Sequence, residues 1–213
     1  MSSIFFDLDG TLTDPKQGIS LSVIHALRGL NLPSPEPDDL DWVIGPSLLD
    51  SFGKLNVPDP TQALALYRER YASVGLYENS VYSGIPEALE TLKSAGHRLF
   101  VATAKPHVFA QKITAKFNLT EYFDAEFGPE LDGTRNDKAE LLNHALAAKN
   151  IEANDAVMIG DRLLDFKAAQ FVGMPSIGVT WGYGTPTEMD QANFLCSNPA
   201  DLPVIIATAL ASN

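Results

Sequence analysis

The chain has 213 residues, of which 45% are hydrophobic, so it is long enough for one sizeable domain or one domain with an insertion and too apolar to be disordered. Its formal net charge of −12 argues against nucleic acid polymers and anionic membranes as partners, because both bind basic patches. Neither a secretory signal nor an apolar run of membrane-spanning length is evident, so a cytoplasmic location is expected.

The first predicted strand is followed at once by two carboxylates. The apolar run Ile4–Phe6 predicts the end of a buried strand, and Asp7-Leu8-Asp9-Gly10-Thr11 comes directly after it. Asp, Gly and Thr also form ordinary turns, so this stretch alone does not distinguish a turn from a site. Ligands of open α/β sheets, however, bind in the crevice beyond the carboxyl ends of the strands. There one Asp can attack a phosphoryl group and the other can move a proton.

Residues 15–83 show a helical pattern without a convincing strand. Helices are predicted over 19–30, 38–52 and 61–73, with proline-containing turns between them. We therefore expect a small α-helical cap domain over 15–83, inserted into a catalytic core made of 1–14 and 84–213. An insertion at an exposed loop beside an active-site crevice is one way in which an enzyme acquires a lid.

The rest of the chain alternates predicted helices and strands. Helices are predicted over 86–95, 106–117, 138–149 and 165–172, and strands over 97–103, 125–127, 156–159, 176–180 and 193–196. This alternation is typical of an α/β fold with a doubly wound, mostly parallel, Rossmann-like sheet. The apolar first strand is assigned to the same sheet. The single cysteine, Cys196, lies in the last predicted strand and is interpreted as a small buried hydrophobe.

Polar residues end two further apolar runs and begin two helices. Thr103 could be an ordinary strand residue, Asp161 a turn residue and Asp165 a helix N-cap. Lys138 is harder to explain in this way, because a Lys in the first turn of a helix opposes the helix dipole. Their joint occurrence at successive strand ends indicates a single site.

The residue types at this predicted site suit a phosphoryl group and a divalent cation. Asp7, Asp161 and Asp165 offer hard oxygen ligands of the kind that Mg²⁺ prefers, and without a cation these carboxylates would repel one another. The Thr103 hydroxyl and the Lys138 ammonium are expected to hold phosphoryl oxygens.

Backbone amides are expected to complete the phosphate-binding cradle. The candidate donors are the amides of Leu8, Asp9 and the turn Thr103–Ala104. Lys105 lies close to Thr103 in the sequence and is an alternative to Lys138 as the phosphate-binding cation.

These residues resemble the four motifs of the haloacid dehalogenase superfamily of aspartate-nucleophile phosphatases. The first motif, D-x-D-G-T, corresponds to Asp7–Thr11, and the second, an apolar run ending in Thr or Ser, corresponds to Leu99–Thr103. The third, a lone Lys, corresponds to Lys138, and the fourth, G-D-x-x-x-D, corresponds to Gly160–Asp165. The resemblance spans nearly the whole chain, including a helical cap after the first motif. It points to the phosphoglycolate phosphatase-like branch.

The resemblance implies phosphomonoester hydrolysis in two steps. Asp7 would attack phosphorus to form an aspartyl phosphate, while Asp9 would protonate the leaving oxygen and then activate water. Mg²⁺ would be held by Asp7, the backbone carbonyl of Asp9 and Asp161, with Asp165 as a direct or outer ligand. The implied substrate is a small phosphorylated metabolite, with phosphoglycolate and a nucleoside 5'-monophosphate as the leading candidates and a sugar phosphate or a phosphotyrosine-like aryl phosphate also open.

The resemblance also bears on the choice of lysine and on the cap. The order of the motifs favours Lys138 over Lys105 for the phosphate, and Ala104 stands where many relatives carry Asn. In the cap, Gly45-Pro46-Ser47 is the candidate specificity loop, because family members often carry a Gly-containing segment at this place. The sequence carries no sign of an oligomeric state.

Two alternative functions stay open. A sugar phosphomutase uses the same core but returns the phosphate to its product. A non-enzymatic phosphoacceptor module of the receiver type also surrounds a phosphorylated Asp with acidic residues, a Thr and a Lys. The inserted cap and the presence of Asp9 argue against the receiver.

Overall fold

The computed structural model, which describes residues 2–212, divides into an α/β unit and a helical unit. The α/β unit comprises Met1–Thr13 and Val81–Asn213, and the helical unit comprises Asp14–Ser80. The strands in chain order are β1 (Ser3–Phe6), β2 (Thr13–Asp14), β3 (Ser80–Val81), β4 (Arg98–Ala102), β5 (Ala125–Phe127), β6 (Ala156–Gly160), β7 (Ser176–Val179) and β8 (Phe194–Cys196). The α-helices are α1 (Lys16–Gly29), α2 (Leu48–Lys54), α3 (Pro60–Ser73), α4 (Ile85–Ser94), α5 (His107–Lys116), α6 (Lys138–Lys149), α7 (Leu163–Val172), α8 (Pro186–Met189) and α9 (Leu202–Ala211).

The main sheet has six strands in the order β5-β4-β1-β6-β7-β8, and all the strand pairs described are parallel. Strand β1 lies between β4 and β6, with Phe6 in register with Val101 on one side and Ile159 on the other. Parallel strands are joined by crossover helices, and the strands of such a sheet are apolar throughout because helices cover both of its faces. The α/β fold with a mostly parallel sheet that the sequence predicts is therefore confirmed.

The core of the α/β unit fixes the positions of the central strands. Phe5, Phe100 and Met158 are neighbours in the sheet register and are fully buried, and the rings of Phe5 and Phe100 stack at 4.9 Å. Leu142 of α6 and Ala169 of α7 belong to the same cluster. Burial of each large apolar side chain contributes about 1.5–3 kcal/mol. The carboxyl ends of β1, β4 and β6 are thus held side by side.

One of the helices predicted for the helical unit is wrong. Instead of a continuous helix over 38–52, the chain forms a 3₁₀ helix at Pro37–Val43 and then α2 at Leu48–Lys54. The break has a local cause, because Gly45 adopts a φ of 102° and Pro46 has no amide hydrogen to donate to a helix.

Two short strands lie where the chain leaves and re-enters the α/β unit. Strands β2 and β3 pair as a two-stranded sheet, and β3 lies between 15 and 83, where the sequence pattern predicts no strand. A strand of two residues is too short to show a periodic pattern. None of the helices formed by residues 2–212 combines the length and apolar character needed to cross a membrane.

Candidate active site

Asp7 and Lys138 form the centre of the candidate site. Asp7 follows β1 directly, and its amide donates to the carbonyl of Ile159 at 2.8 Å, which continues the pairing with β6. Lys138 is the first residue of α6, and its Nζ lies 2.7 Å from Asp7 Oδ1 and also forms an ion pair with Asp165. Both side chains are buried. The two carboxylates explain why a Lys stands where the helix dipole disfavours it.

The charge state of Lys138 follows from these partners. Burial by itself would lower the pKa of Lys138, but the carboxylates of Asp165 and Asp7 more than offset it and raise that pKa above its ordinary value. Lys138 is therefore a fixed cation beside Asp7.

Asp9 is paired with the other candidate lysine. Lys105 Nζ lies 2.6 Å from Asp9 Oδ2, and both residues are buried. Burial raises the pKa of Asp9, while Lys105 acts in the opposite direction. The sequence presents Lys105 and Lys138 as alternatives. In the structure both belong to the site, and each pairs with a different carboxylate of the D-x-D motif.

Three carboxylates converge beside Lys138. Asp7, Asp161 and Asp165 each place an oxygen within 4.8 Å of the others. Asp161 Oδ2 accepts from the amide of Tyr183 at 2.7 Å, whereas the buried Oδ1 has no hydrogen-bond partner among residues 2–212. Asp165 Oδ2 accepts from the amide of Arg162 at 2.9 Å.

The electrostatics of this cluster favour a bound cation. Burial raises the pKa of Asp161 well above its usual range, and the Asp165 and Asp7 charges raise it further. Burial also raises the pKa of Asp165 to about 6, against the attraction of Lys138. A divalent cation would stabilise the ionised forms of these clustered carboxyl groups and would provide a partner for the unpaired Asp161 Oδ1. Hard oxygen donors alone are the set that suits Mg²⁺.

Thr103 and Ala104 come directly after β4, the strand that pairs with β1. Thr103 is buried, its amide donates to Phe127 at 3.0 Å, and its hydroxyl oxygen accepts from the Lys105 amide at 3.2 Å. Ala104 is partly exposed. Leu8 is fully buried, and its carbonyl oxygen accepts from the amides of Leu12 and Thr13 in the turn after β1. The assignment of these three positions to a phosphate group stays a prediction.

The loop after β7 belongs to the site, although the sequence motifs do not include it. The Trp181 indole donates to the carbonyl of Thr11 at 3.0 Å, which ties this loop to the D-x-D-G-T segment. Gly10, with a φ of 83°, and Gly182 both lie so close to the Asp161 carboxylate that a Cβ at either position would clash with it. The segment Trp181-Gly182-Tyr183-Gly184 was detectable as an aromatic and glycine-rich stretch after a strand, but its contact with Asp161 was not.

The candidate specificity residues lie in the helical unit. Gly45, Pro46 and Ser47 join the 3₁₀ helix to α2, and the carbonyl of Ser47 accepts from both the amide and the hydroxyl of Ser51 at 3.0 Å. All three residues are partly exposed. Their role in specificity stays a prediction.

The chain matches a family model over most of its length. The model described as haloacid dehalogenase-like hydrolase matches residues 4–179. A 5'-nucleotidase from Pseudomonas aeruginosa is 44% identical over 209 residues, which cover 96% of this chain and 95% of that protein. The tyrosine-protein kinase PtkA from Mycobacterium tuberculosis is 36% identical over 191 residues, which cover 89% of this chain and 66% of that protein. The crystal structure of a predicted phosphatase from Clostridium acetobutylicum superposes with a TM-score of 0.93 at 38% identity, covering 97% of this chain and 98% of that one.

Other curated relatives are more distant. Three of them, 26–30% identical, are named phosphoglycolate phosphatase. The family resemblance drawn from the four motifs is thus confirmed by matches that extend well beyond those motifs. The chain belongs to the haloacid dehalogenase-like hydrolases.

Proposed function

We propose that this chain is a Mg²⁺-dependent phosphatase that hydrolyses a small phosphomonoester through an aspartyl phosphate on Asp7. The observation that carries the proposal is the placement of Asp7 at the carboxyl end of the central strand, 2.7 Å from Lys138 and within the cluster formed with Asp161 and Asp165. The buried Asp7 side chain lies beside the Lys138 ammonium and the carboxylates of Asp161 and Asp165, which orients it for attack. The positive charge of Lys138 also offsets the repulsion between Asp7 and an incoming phosphate.

In the first step, an Asp7 carboxylate oxygen attacks phosphorus, and the bond between phosphorus and the ester oxygen breaks. Asp9, two residues further on, gives its proton to that leaving oxygen. The raised pKa of Asp9 favours the protonated form that this transfer requires. The product of the step is an aspartyl phosphate and a free alcohol.

In the second step, Asp9 takes a proton from water, and the water oxygen attacks the same phosphorus. The bond between phosphorus and Asp7 then breaks, which releases inorganic phosphate and restores Asp7 as a carboxylate and Asp9 as the protonated acid. Splitting one difficult displacement into two is the advantage of the covalent route. The carboxylates of Asp165 and Asp7 raise the pKa of Lys138 and so favour its protonated form, which is suited to hold phosphoryl oxygens.

The proposed metal site uses the carboxylates of Asp7 and Asp161 and the backbone carbonyl of Asp9, with Asp165 as a direct or outer ligand. Mg²⁺ held by these residues would neutralise charge as the anionic nucleophile and the phosphate approach each other. The unpartnered Asp161 Oδ1 and the raised pKa values of Asp161 and Asp165 support a cation at this place.

A nucleoside 5'-monophosphate is the substrate class that we favour. The support is the 44% identity, over nearly all of both chains, to a protein named 5'-nucleotidase, against 26–30% for those named phosphoglycolate phosphatase. The cap residues Gly45, Pro46 and Ser47 are proposed to contribute to this choice. Because the chain belongs to a hydrolase family, the receiver-like phosphoacceptor is set aside.

A second candidate, phosphorylation of protein tyrosine, comes from the name of one relative. That relative is 36% identical, and the matched region covers 66% of its length. Kinase and phosphatase differ in the acceptor of the phosphoryl group, which is a tyrosine hydroxyl in one case and water in the other.

The test is phosphate release from nucleoside 5'-monophosphates, phosphoglycolate, sugar phosphates and phosphotyrosine, measured with Mg²⁺ and with EDTA. The proposal predicts Mg²⁺-dependent release over many turnovers, fastest with a nucleoside 5'-monophosphate, and no activity in Asp7→Asn. Transfer of label from ATP to a tyrosine peptide without phosphate release would favour the kinase. Interconversion of sugar phosphates without release would favour the mutase.

A further inference from the structure

The site contains two buried lysines, and the proposed mechanism uses only one of them. Lys138 pairs with Asp7 and Asp165, whereas Lys105 Nζ lies 2.6 Å from Asp9 Oδ2. We propose that Lys105 is a positioning residue that fixes the Asp9 carboxyl group for proton transfer to the leaving group. This inference rests on the proposed function, in which Asp9 is the acid.

The backbone that carries Lys105 is held on several sides. The Lys105 amide donates to the Thr103 hydroxyl oxygen at 3.2 Å, and two residues further on the His107 amide donates to the carbonyl of Pro129 at 2.8 Å. Gly128 packs so closely that a Cβ there would lie 2.6 Å from the Lys105 carbonyl oxygen. The lysine therefore projects from a segment with little freedom, which is what a positioning role requires.

The two oxygens of Asp9 are in different surroundings. Oδ2 is engaged by Lys105, while the buried Oδ1 has no hydrogen-bond partner in the described part of the chain. A carboxylate held by one oxygen keeps its plane and leaves the other oxygen to exchange a proton with substrate or water. Lys138 is already shared by two other carboxylates and is not available as a substitute.

Loss of Lys105 should therefore affect the step in which Asp9 donates a proton. General acid–base catalysis contributes about 10²–10⁴-fold, and misorientation of the acid forfeits part of that factor. An ester with a good leaving group needs little protonation, so it should be hurt much less. A lysine that only bound the phosphate group would affect both kinds of ester equally, since the phosphate is common to them.

The experiment compares kcat/KM for a nucleoside 5'-monophosphate and for 4-nitrophenyl phosphate in Lys105→Met, Lys105→Arg and Asp9→Asn. This constant covers the steps up to loss of the leaving group, which are the steps that depend on the acid. Lys112→Met, at an exposed position of α5, is the matched control. Circular dichroism checks that each variant is folded, and Lys105→Gln replaces Lys105→Met if the latter does not fold.

We expect Lys105→Met to lower kcat/KM for the nucleotide at least about tenfold more than for 4-nitrophenyl phosphate, which is part of the acid–base factor. Lys105→Arg should restore most of that difference, and Lys112→Met should show none. Equal losses on both esters in Lys105→Met would overturn the positioning role. Equal losses on both esters in Asp9→Asn would contradict the assignment of Asp9 as the acid, which belongs to the proposed function and not to the role of Lys105.

Discussion

Gly182 lies directly against the Asp161 carboxylate, so that a Cβ at position 182 would overlap both Asp161 Oδ2 and the carbonyl oxygen of Gly10. The amide of the next residue, Tyr183, donates to the same Asp161 oxygen at 2.7 Å. The loop after β7 thus sets the orientation of Asp161, a proposed metal ligand. The other carboxylate oxygen of Asp161, Oδ1, is left for the cation.

Gly182→Ala should therefore impair metal binding more than it impairs folding. Overpacking costs about 1–3 kcal/mol in the free energy of unfolding, and displacement of Asp161 should reduce the rise in Tm that Mg²⁺ produces. Gly53→Ala is the matched control, because a Cβ at Gly53 in α2 meets nothing within 4 Å. A thermal shift with Mg²⁺ as large in Gly182→Ala as in the control would show that the contact does not orient the ligand.

Asp161→Asn should have opposite effects on stability and on activity. Burial and the neighbouring Asp165 and Asp7 charges raise the pKa of Asp161, so its ionised form destabilises the metal-free chain. Without metal, the variant should therefore melt at a higher temperature than the wild type at pH 7. Thermal denaturation in EDTA measures this directly, and a lower Tm there would contradict the assignment of Asp161 to a repelling cluster.

With Mg²⁺, the same variant should be less active. Loss of outer-sphere partners typically costs 10–100-fold in metal affinity or activity, so loss of a direct ligand should cost more than about 100-fold. Asp190→Asn, at an exposed position, is the control for removal of one negative charge. Normal turnover of Asp161→Asn at limiting Mg²⁺ would remove Asp161 from the metal site.

Asp7→Asn should abolish turnover while leaving the fold intact. Asn keeps the shape of the side chain and an oxygen for Lys138, but it cannot form the acyl phosphate, and loss of a covalent nucleophile costs roughly 10⁴-fold or more. Phosphate release and far-ultraviolet circular dichroism, measured on the same preparation, separate chemistry from folding. A folded Asp7→Asn with more than a small fraction of wild-type activity would exclude Asp7 as the nucleophile.

Glu126, which is not one of the proposed site residues, should make the free energy of unfolding depend on pH. Burial raises the pKa of Glu126, although the Thr114 hydroxyl donates to its Oε1 at 2.7 Å and opposes the shift. The pKa of Glu126 is higher in the folded chain than in the unfolded chain. The contribution of its protonated form to the free energy of unfolding is therefore fully present below pH 4.5, and it is lost as the pH rises through the folded-state pKa. Glu126→Gln, which keeps the acceptor, should raise Tm at pH 7 and have little effect near pH 4.

Melting curves across this pH range for Glu126→Gln and for Glu121→Gln, an exposed control, would measure the difference. A pH-independent difference between Glu126→Gln and the wild type would show that packing and not ionisation is responsible.

The sequence was sufficient for those parts of the site that strand pairing brings together. Apolar runs predict β1 and β6. Because these strands pair in parallel, the residues that follow them, Asp7 and Asp161, both lie at the carboxyl ends of the strands. The ion pair of Asp9 with Lys105 was not predictable, because the choice between two nearby lysines depends on side-chain directions that no periodic pattern encodes. The contact of Gly182 with Asp161 was hidden for the same reason.

In the helical unit, the predicted helix over 38–52 is wrong because Gly45 and Pro46 interrupt it. Both residues are known helix breakers, and the chain does break there. The local backbone chemistry of two residues prevailed over a pattern spread across fifteen.

The most direct test of the proposed chemistry is to trap the covalent intermediate. The enzyme is mixed with Mg²⁺ and a nucleoside 5'-monophosphate, quenched in acid during turnover and reduced with borohydride, which converts an acyl phosphate on Asp into homoserine. Peptide mass spectrometry then locates the modified residue. The proposed mechanism predicts homoserine at position 7 and none in Asp7→Asn or without substrate. Rapid turnover with no modification, or modification at another carboxylate, would contradict it.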